Sequence, residues 1–516
     1  MASNLQRIWM VALVLTYVGV FPFFGRLRHA NEMPRIGLAK QIVERGTFDL
    51  DALVEEKFFL SDVDLSHTPD GHAYSNKAPG VSFIGVPIYA STRFFGEPSL
   101  RVTTWCLRMF VVTLPALLFL FWFRRQLHLF ADDENAVNTA FVAYGLASPV
   151  LPYALQFMSH ALTAAAAATT FLLCVRLVRA RPTKPERTAL LAGFFASACV
   201  MLEYQGFIAI LVIAIYLLRS SPARWKDALF FVLGGIPLAT LLGWYHTVSF
   251  GAPWKTGYSF HSEVFEEGVF GTIGPNRKAM FHTLVSPANG MLMLSPWVIL
   301  AGLGAVTIFS NRDTRSRLGA EAAVCSAIVI GYVLYVGSLV PWFARGGWTV
   351  GPRHLLAAYP FIALLAAAGF QSVAKGLPNK PWTASAGWIA SRTLVVFSAI
   401  VFVVATTTYP HWPEGLKNPL HEVSFRLLGD NHAVHSIATA MGMHGFASLL
   451  PEYTSVAIVV LVLLGTHRST TRRQTFTAMA LCALLATGCV WRYQDFPASR
   501  SYAQKAYNYV VSTLEP

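Results

Sequence analysis

Thirteen stretches of this chain are apolar for long enough to cross, or nearly cross, a bilayer, and that pattern narrows the available folds more than any single motif does. They lie at 8–25, 102–123, 136–152, 158–178, 187–203, 205–218, 227–249, 291–309, 319–340, 353–374, 392–408, 452–466 and 475–491. At a rise of ~1.5 Å per residue, a hydrocarbon core of ~30 Å takes up ~20 residues of helix. A chain that is 54% hydrophobic and only 13% charged cannot wet the surface of a soluble protein. The expected fold class is therefore an all-α polytopic membrane protein of about thirteen transmembrane helices, forming one domain over 1–516. The first run, Ile8 to Phe24, has no small-residue cleavage site after it and is expected to stay attached as a helix.

Orientation follows from the linkers, because short loops rich in Lys and Arg remain cytoplasmic. Placing Arg7 inside makes every second linker basic: Arg124-Arg125, Arg176 to Arg187, Arg219 to Lys226, Arg312 to Arg317, Lys375 to Lys380 and Arg468 to Arg473. The expected arrangement has the N-terminus in and the C-terminus out. The net charge of +13 is spread over these clusters and forms no continuous stripe, so nucleic acid is not an expected partner. The six cysteines all lie in apolar runs, spaced neither for a metal nor for disulfides, and read as packing residues.

The remaining linkers gather Gly, Pro, aromatic residues, His and acids, as expected of loops that bind something. The main ones are 26–101, 250–290 and 409–451. In the first, Met33 to Glu44 mixes apolar residues with Arg35, Lys40 and Glu44 and stops at Gly46, which predicts an amphipathic helix lying at the membrane surface. Val81 to Phe95 contains Pro87 and ends near Arg93, and is expected to be a half-buried interfacial helix. The His-rich stretch with His411, His421, His432 and His435 has irregular spacing and reads as a solvated loop.

Several polar residues in these outer segments are candidates for chemistry. Glu32 sits just beyond the first run, where a carboxylate can accept a proton from a hydroxyl; pairing with Arg35 at helical spacing is the alternative. Lys77, held before Ala78-Pro79, is placed to meet a lipid phosphate or to snorkel. Arg353, with Arg345 and His354 beside it, opens an apolar run after the turn Gly346-Gly347-Trp348-Thr349-Val350-Gly351-Pro352, and offers a planar donor fork for phosphate. His160, Glu203 and Tyr204 are polar groups near outer helix ends, and Tyr258 lies in the 250–290 loop; all are expected to face a substrate pocket.

These residues resemble the GT-C superfamily of membrane glycosyltransferases, in particular the branch of protein O-mannosyltransferases and the lipid A aminoarabinose transferase. That family opens its first external loop with Asp-Glu-x-x-Arg, which here reads Asn31-Glu32-Met33-Pro34-Arg35, and carries a Tyr/Phe-x-Lys-Pro motif, matched loosely by Tyr74-Ser75-Asn76-Lys77-Ala78-Pro79. Its aromatic-Gly-Pro-Arg opening on a late span is similar to Trp348 to Arg353. In the family the first acid of the pair is the catalytic base. Asn31 occupies that place here, so the role shifts to Glu32, with Asp62 or Asp64 in reserve.

The resemblance implies inverting transfer of a sugar from a polyprenyl-phosphate donor to a hydroxyl on the extracytoplasmic side. Lys77, Arg353, Arg345 and Tyr74 would then hold the donor phosphate, and Arg35, His160, Glu203, Tyr204, His354 and Tyr258 would line the pocket. The acceptor is a glycan, a lipid or a protein. No cofactor is expected, since Lys and Arg can supply the positive charge, although some relatives use a divalent metal. The alternatives are a polytopic transporter, or a flippase or ligase of lipid-linked glycans; a transporter would show duplicated halves and mid-membrane charges, and neither is visible.

Overall fold

The computed structural model of the protein describes residues 2–21, 29–59, 65–260, 271–340, 344, 346–376, 380, 382–465, 472–492 and 500–514. Each of the thirteen apolar runs falls wholly or mainly on helix. Among the described residues, eight helices are long and apolar enough to cross a membrane: Leu100–Leu129, His160–Arg179, Arg224–Phe250, Arg312–Gly337, Arg353–Lys375, Trp382–Thr408, Gly445–Leu464 and Thr475–Arg492. Shorter apolar helices add Ile8–Gly19, Tyr204–Ser220 and Pro296–Ser310. The chain is an integral, multi-pass, mostly helical membrane protein.

Small residues let several helices meet at backbone distance. A Cβ on Gly193 would stand 1.7 Å from the carbonyl oxygen of Phe231, and one on Gly234 would stand 2.0 Å from that of Leu190. Only hydrogen fits at these crossings, so Pro185–Leu202 and Arg224–Phe250 lie face to face with no side chain between them. Gly304 and Gly369 do the same for Ile299–Ser310 and Tyr359–Lys375. Gly193→Leu should therefore destabilise the protein by about 1–3 kcal/mol through overpacking. The check is a lower melting temperature in detergent than Val232→Leu gives, at a position on the same pair that is 61% exposed.

The segment after the first apolar run is built much as its sequence suggests, with one difference. Met33–Glu44 is helical and the chain turns at Gly46 with φ 69°. The helix does not lie on an open surface, however, since Met33 to Ala39 and Gln41 are all buried. Glycine at 37 and 85 and the apolar faces of neighbouring elements enclose it, with Leu53 and Phe59 against Gly37 and Leu107 and Phe157 against Gly85. Gly80–Phe94 is the half-buried helix expected, with Val81 and Tyr89 inward and Phe94 85% exposed.

Between these helices Leu65–His67 and Ala73–Ser75 form an antiparallel hairpin that carries the chain into Asn76-Lys77. A second small ladder pairs Val20 with Ser436 and Phe21 with His435, tying the end of the first helix to a late loop. That late loop is less solvated than expected: His411 is fully buried and its ring stacks on His29 at 4.1 Å.

Candidate active site

Two close backbone approaches bring the site together. A Cβ on Gly80 would stand 2.7 Å from the carbonyl oxygen of Met201, so the Asn76–Pro79 segment lies against the end of Pro185–Leu202, next to Glu203. A Cβ on Gly257 would stand 2.7 Å from the Asn76 Cα, which brings Tyr258 to the same place. Glu203 itself sits in extended backbone, φ −150° and ψ 125°, at the break between Pro185–Leu202 and the 3-10 turn Tyr204–Gly206.

Glu203 is the anion of a buried cluster. Arg35 donates to its Oε1 at 3.0 Å, the Ser159 hydroxyl donates to the same oxygen, and His160 Nδ1 lies 3.7 Å away. Among the described residues the side-chain hydrogen bonds of Glu203 end on Oε1. Arg35 also donates to Ser159 Oγ at 3.1 Å, to the Asn31 carbonyl at 2.6 Å and to the Asn31 amide oxygen. With a neutral amide at position 31, the charge that balances Arg35 comes from Glu203, 168 residues later.

His160 and His354 face each other with ring centres 6.3 Å apart, and both lie within electrostatic range of Lys77 and Arg353. The Nε2 of His160 is buried without a hydrogen-bond partner among the described residues. A buried polar atom left in this state marks a place where a ligand or water belongs. Tyr204 donates its hydroxyl to His246 Nε2 at 2.9 Å, because His246 Nδ1 donates to the Pro253 carbonyl at 3.1 Å. Tyr258 stands edge-on to Tyr204 at 5.9 Å; burial first and the nearby Glu203 second push its phenol above the ordinary range, so it remains a hydrogen-bond donor.

The structure thus brings together Asn31, Arg35, Lys77, His160, Glu203, Tyr204, Tyr258, Arg353 and His354. Glu32 faces elsewhere. Arg108 donates to its Oε1 at 2.8 Å through Nε and to its Oε2 at 2.5 Å through a terminal nitrogen, and the Phe157 amide donates to Oε1 at 2.5 Å. Burial acts to raise its pKa, but the charge and fork of Arg108, the nearby His29 and the Phe157 amide outweigh it and hold the carboxyl below the ordinary range. Tyr74 stacks edge-on to Phe250 at 5.5 Å in a separate apolar cluster with Leu38, Leu50 and Leu65. Asp62, Asp64 and Arg345 lie outside the described residues.

Ser159, Arg108 and His29 were not singled out by sequence, and His411 was read as part of a solvated loop. Arg108 carried the clearest signal, being the one charge within the apolar run 102–123 and so in need of a buried partner. His29 accepts the Asn31 amide proton on Nδ1 at 3.1 Å, so its Nε2 donates to the Trp348 carbonyl at 3.1 Å and ties the first loop to the turn before Arg353. Among the described residues no group of three or more His, Cys, Asp or Glu is placed to hold a metal ion.

No protein-family model and no curated protein matches the chain. Among solved structures, it is similar to ArnT from Cupriavidus metallidurans in the apo state, at 15% identity and a TM-score of 0.47 over 95% of this chain and 77% of that one. It is also similar to the arabinosyltransferase EmbB from Mycobacterium smegmatis, at 12% identity and 0.46 over 95% of this chain and 40% of that one. A third is the oligosaccharyltransferase AglB from Archaeoglobus fulgidus in complex with an inhibitory peptide and a dolichol-phosphate, at 12% identity and 0.45 over 99% of this chain and 59% of that one.

Proposed function

We propose that the protein is an inverting glycosyltransferase that moves a sugar from a polyprenyl-phosphate donor to an acceptor hydroxyl, at a site facing the extracytoplasmic side. The observation that carries this reading is the buried cluster itself. Among the described residues it sets three cations, Arg35, Lys77 and Arg353, around one carboxylate, Glu203, at the ends of membrane helices. That surplus of positive charge suits an incoming phosphate. A transporter reading has no comparable support.

In the step, the acceptor oxygen bonds to the anomeric carbon as the bond from that carbon to the phosphate oxygen breaks on the opposite face. The hydroxyl proton passes to a carboxylate, and the electron pair leaves on the polyprenyl phosphate. Lys77 and Arg353 stabilise that departing charge, and they do so strongly because water is largely excluded. We place the base at Glu203, whose Oε2 is not engaged by the described network, and give Glu32 the work of holding the loop through Arg108. Arg35 and Ser159 orient Glu203 through Oε1.

The reading needs no cofactor, so incubation with a chelator should leave turnover unchanged. The direct test supplies purified protein in nanodiscs with a panel of radiolabelled polyprenyl-phosphate sugars and measures release of polyprenyl phosphate. Release from at least one donor, lost in Glu203→Gln, is the expected result. No release from any of them would end the proposal.

A further inference from the structure

A cavity of about 400 Å³ lies between the end of the first helix, the outer half of Leu100–Leu129 and the His435–Ser436 strand. Its size falls in the ~300–1,000 Å³ range of small-ligand sites. Tyr17, Phe21, Trp105 and Met109 give it apolar walls, and Val102 and Trp105 are 47% and 38% exposed, so it opens sideways toward the hydrocarbon. The ionisable side chains lining it, apart from Tyr17, are Arg101, Arg108 and His435; no carboxylate lines it among the described residues. Arg108 is matched by the Glu32 carboxylate, so the charge of the lining comes from Arg101, and an apolar trough with a cation at its exposed edge is the shape and charge of a seat for an anionic amphiphile.

Two further observations tie this cavity to the cluster around Glu203. Arg108, Met109 and Thr113 reach it from Leu107–Thr113, a stretch of π-helix inside an otherwise α-helical span. Such bulges sacrifice regular backbone bonding and recur where a helix serves a site. In addition, the neighbouring residues Asn31 and Glu32 point to opposite sides of their turn. The Asn31 amide meets Arg35 of the Glu203 cluster, whereas the Glu32 carboxylate meets Arg108 of the cavity wall. The cavity therefore backs directly onto the turn that borders the site, away from Lys77 and Arg353.

We propose that this cavity is a second lipid-binding site and that it holds the tail of the acceptor, an anionic amphiphile whose head reaches the Glu203 cluster past the Asn31–Glu32 turn. The proposal rests on the transferase reading, because only that reading calls for two substrates at once, and Lys77 and Arg353 take the donor. Arg101 and His435 meet the acceptor's negative group near the rim.

The test uses the full chain in phosphatidylcholine nanodiscs with three photoactivatable probes carrying a diazirine in the tail: phosphatidylglycerol, phosphatidylcholine and a polyprenyl phosphate. Adducts are mapped by mass spectrometry, and polyprenyl phosphate release from a lipid-linked sugar is measured on the same preparation. The phosphatidylglycerol probe should label 101–113 and 435–440 about fivefold more than the phosphatidylcholine probe, the discrimination expected of one basic side chain near a membrane surface. Arg101→Gln should remove that preference, and Ala440→Trp, at an exposed rim position, should block labelling by filling the cavity.

Equal labelling by the two phospholipids, no labelling, or labelling by the polyprenyl phosphate alone would overturn the assignment. Donor release without labelling would sink the cavity and spare the transferase. Labelling without donor release would leave a lipid site and remove its role as acceptor seat together with the transferase reading.

Discussion

Lys77→Ala should lower release of polyprenyl phosphate by about 10²–10³-fold, the loss expected when one donor to a developing negative charge is taken from a water-excluded site. The lysine is buried among the residues of the Glu203 cluster, and its segment is fixed from both ends. Its own amide donates to Ser75 Oγ at 3.2 Å, and Gly80 lies against the Met201 carbonyl. Truncation beyond Cβ leaves both anchors in place, so the variant should remain folded and show a melting temperature close to that of the parent. Lys77→Arg should recover part of the activity, because it keeps the charge while changing the geometry of the donors. A folded alanine variant with full turnover would remove the lysine from any role at the phosphate.

The second large effect separates the two buried carboxylates. Glu32→Gln or Arg108→Ala should each cost about 3–5 kcal/mol of stability, since either change strands half of a buried, doubly hydrogen-bonded ion pair. Glu203→Gln should abolish turnover; it too leaves a buried arginine without its balancing charge, a cost softened by the two neutral acceptors Arg35 keeps on Asn31, so the two carboxylates are told apart by turnover per folded molecule, which Glu32→Gln should largely retain. The pH dependence carries the same distinction. The folded protein holds the Glu32 carboxyl below its ordinary value of 4.5, so it favours the charged form. That contribution is fully present above the ordinary value and is lost as pH falls through the lower, folded one. Thermal stability of the parent should drop along this acid limb, and Glu32→Gln should be less stable at neutral pH and flatter in acid. An unchanged neutral-pH melting temperature for Glu32→Gln would show that the pair does not hold the loop.

The helices were legible because a bilayer imposes a simple rule on composition, and the apolar runs of near-spanning length lie wholly or mainly on helix. The first loop was legible too: the Gly46 stop and the position of Pro87 both appear where the sequence put them. What could not be read was direction. Asn31 and Glu32 are adjacent, and nothing in their order tells which of them faces Glu203 and which faces Arg108, since both partners lie far along the chain. Tyr74 shows the same limit: it sits three residues from Lys77, yet strand alternation turns it into the apolar cluster with Phe250. Glu203 was seen as a pocket residue but not as its principal anion, because the pairing with Arg35 depends on a helix break that no local pattern announces. The buried state of His411 was hidden for a related reason, as its partner His29 lies at the other end of the chain.

The glycine crossings bear on how the site is divided between stiff and pliant parts. Gly193 and Gly234 lock two long helices backbone to backbone, and the first of these ends at Glu203. The anion is therefore mounted on a beam that has little room to shift, and the Lys77 segment is pinned to the same beam through Gly80, while Arg353 follows a turn with three glycines of positive φ. Any adjustment between ligand and protein falls to the turn before Arg353, and Glu203 and Lys77 supply the fixed points from which it is measured.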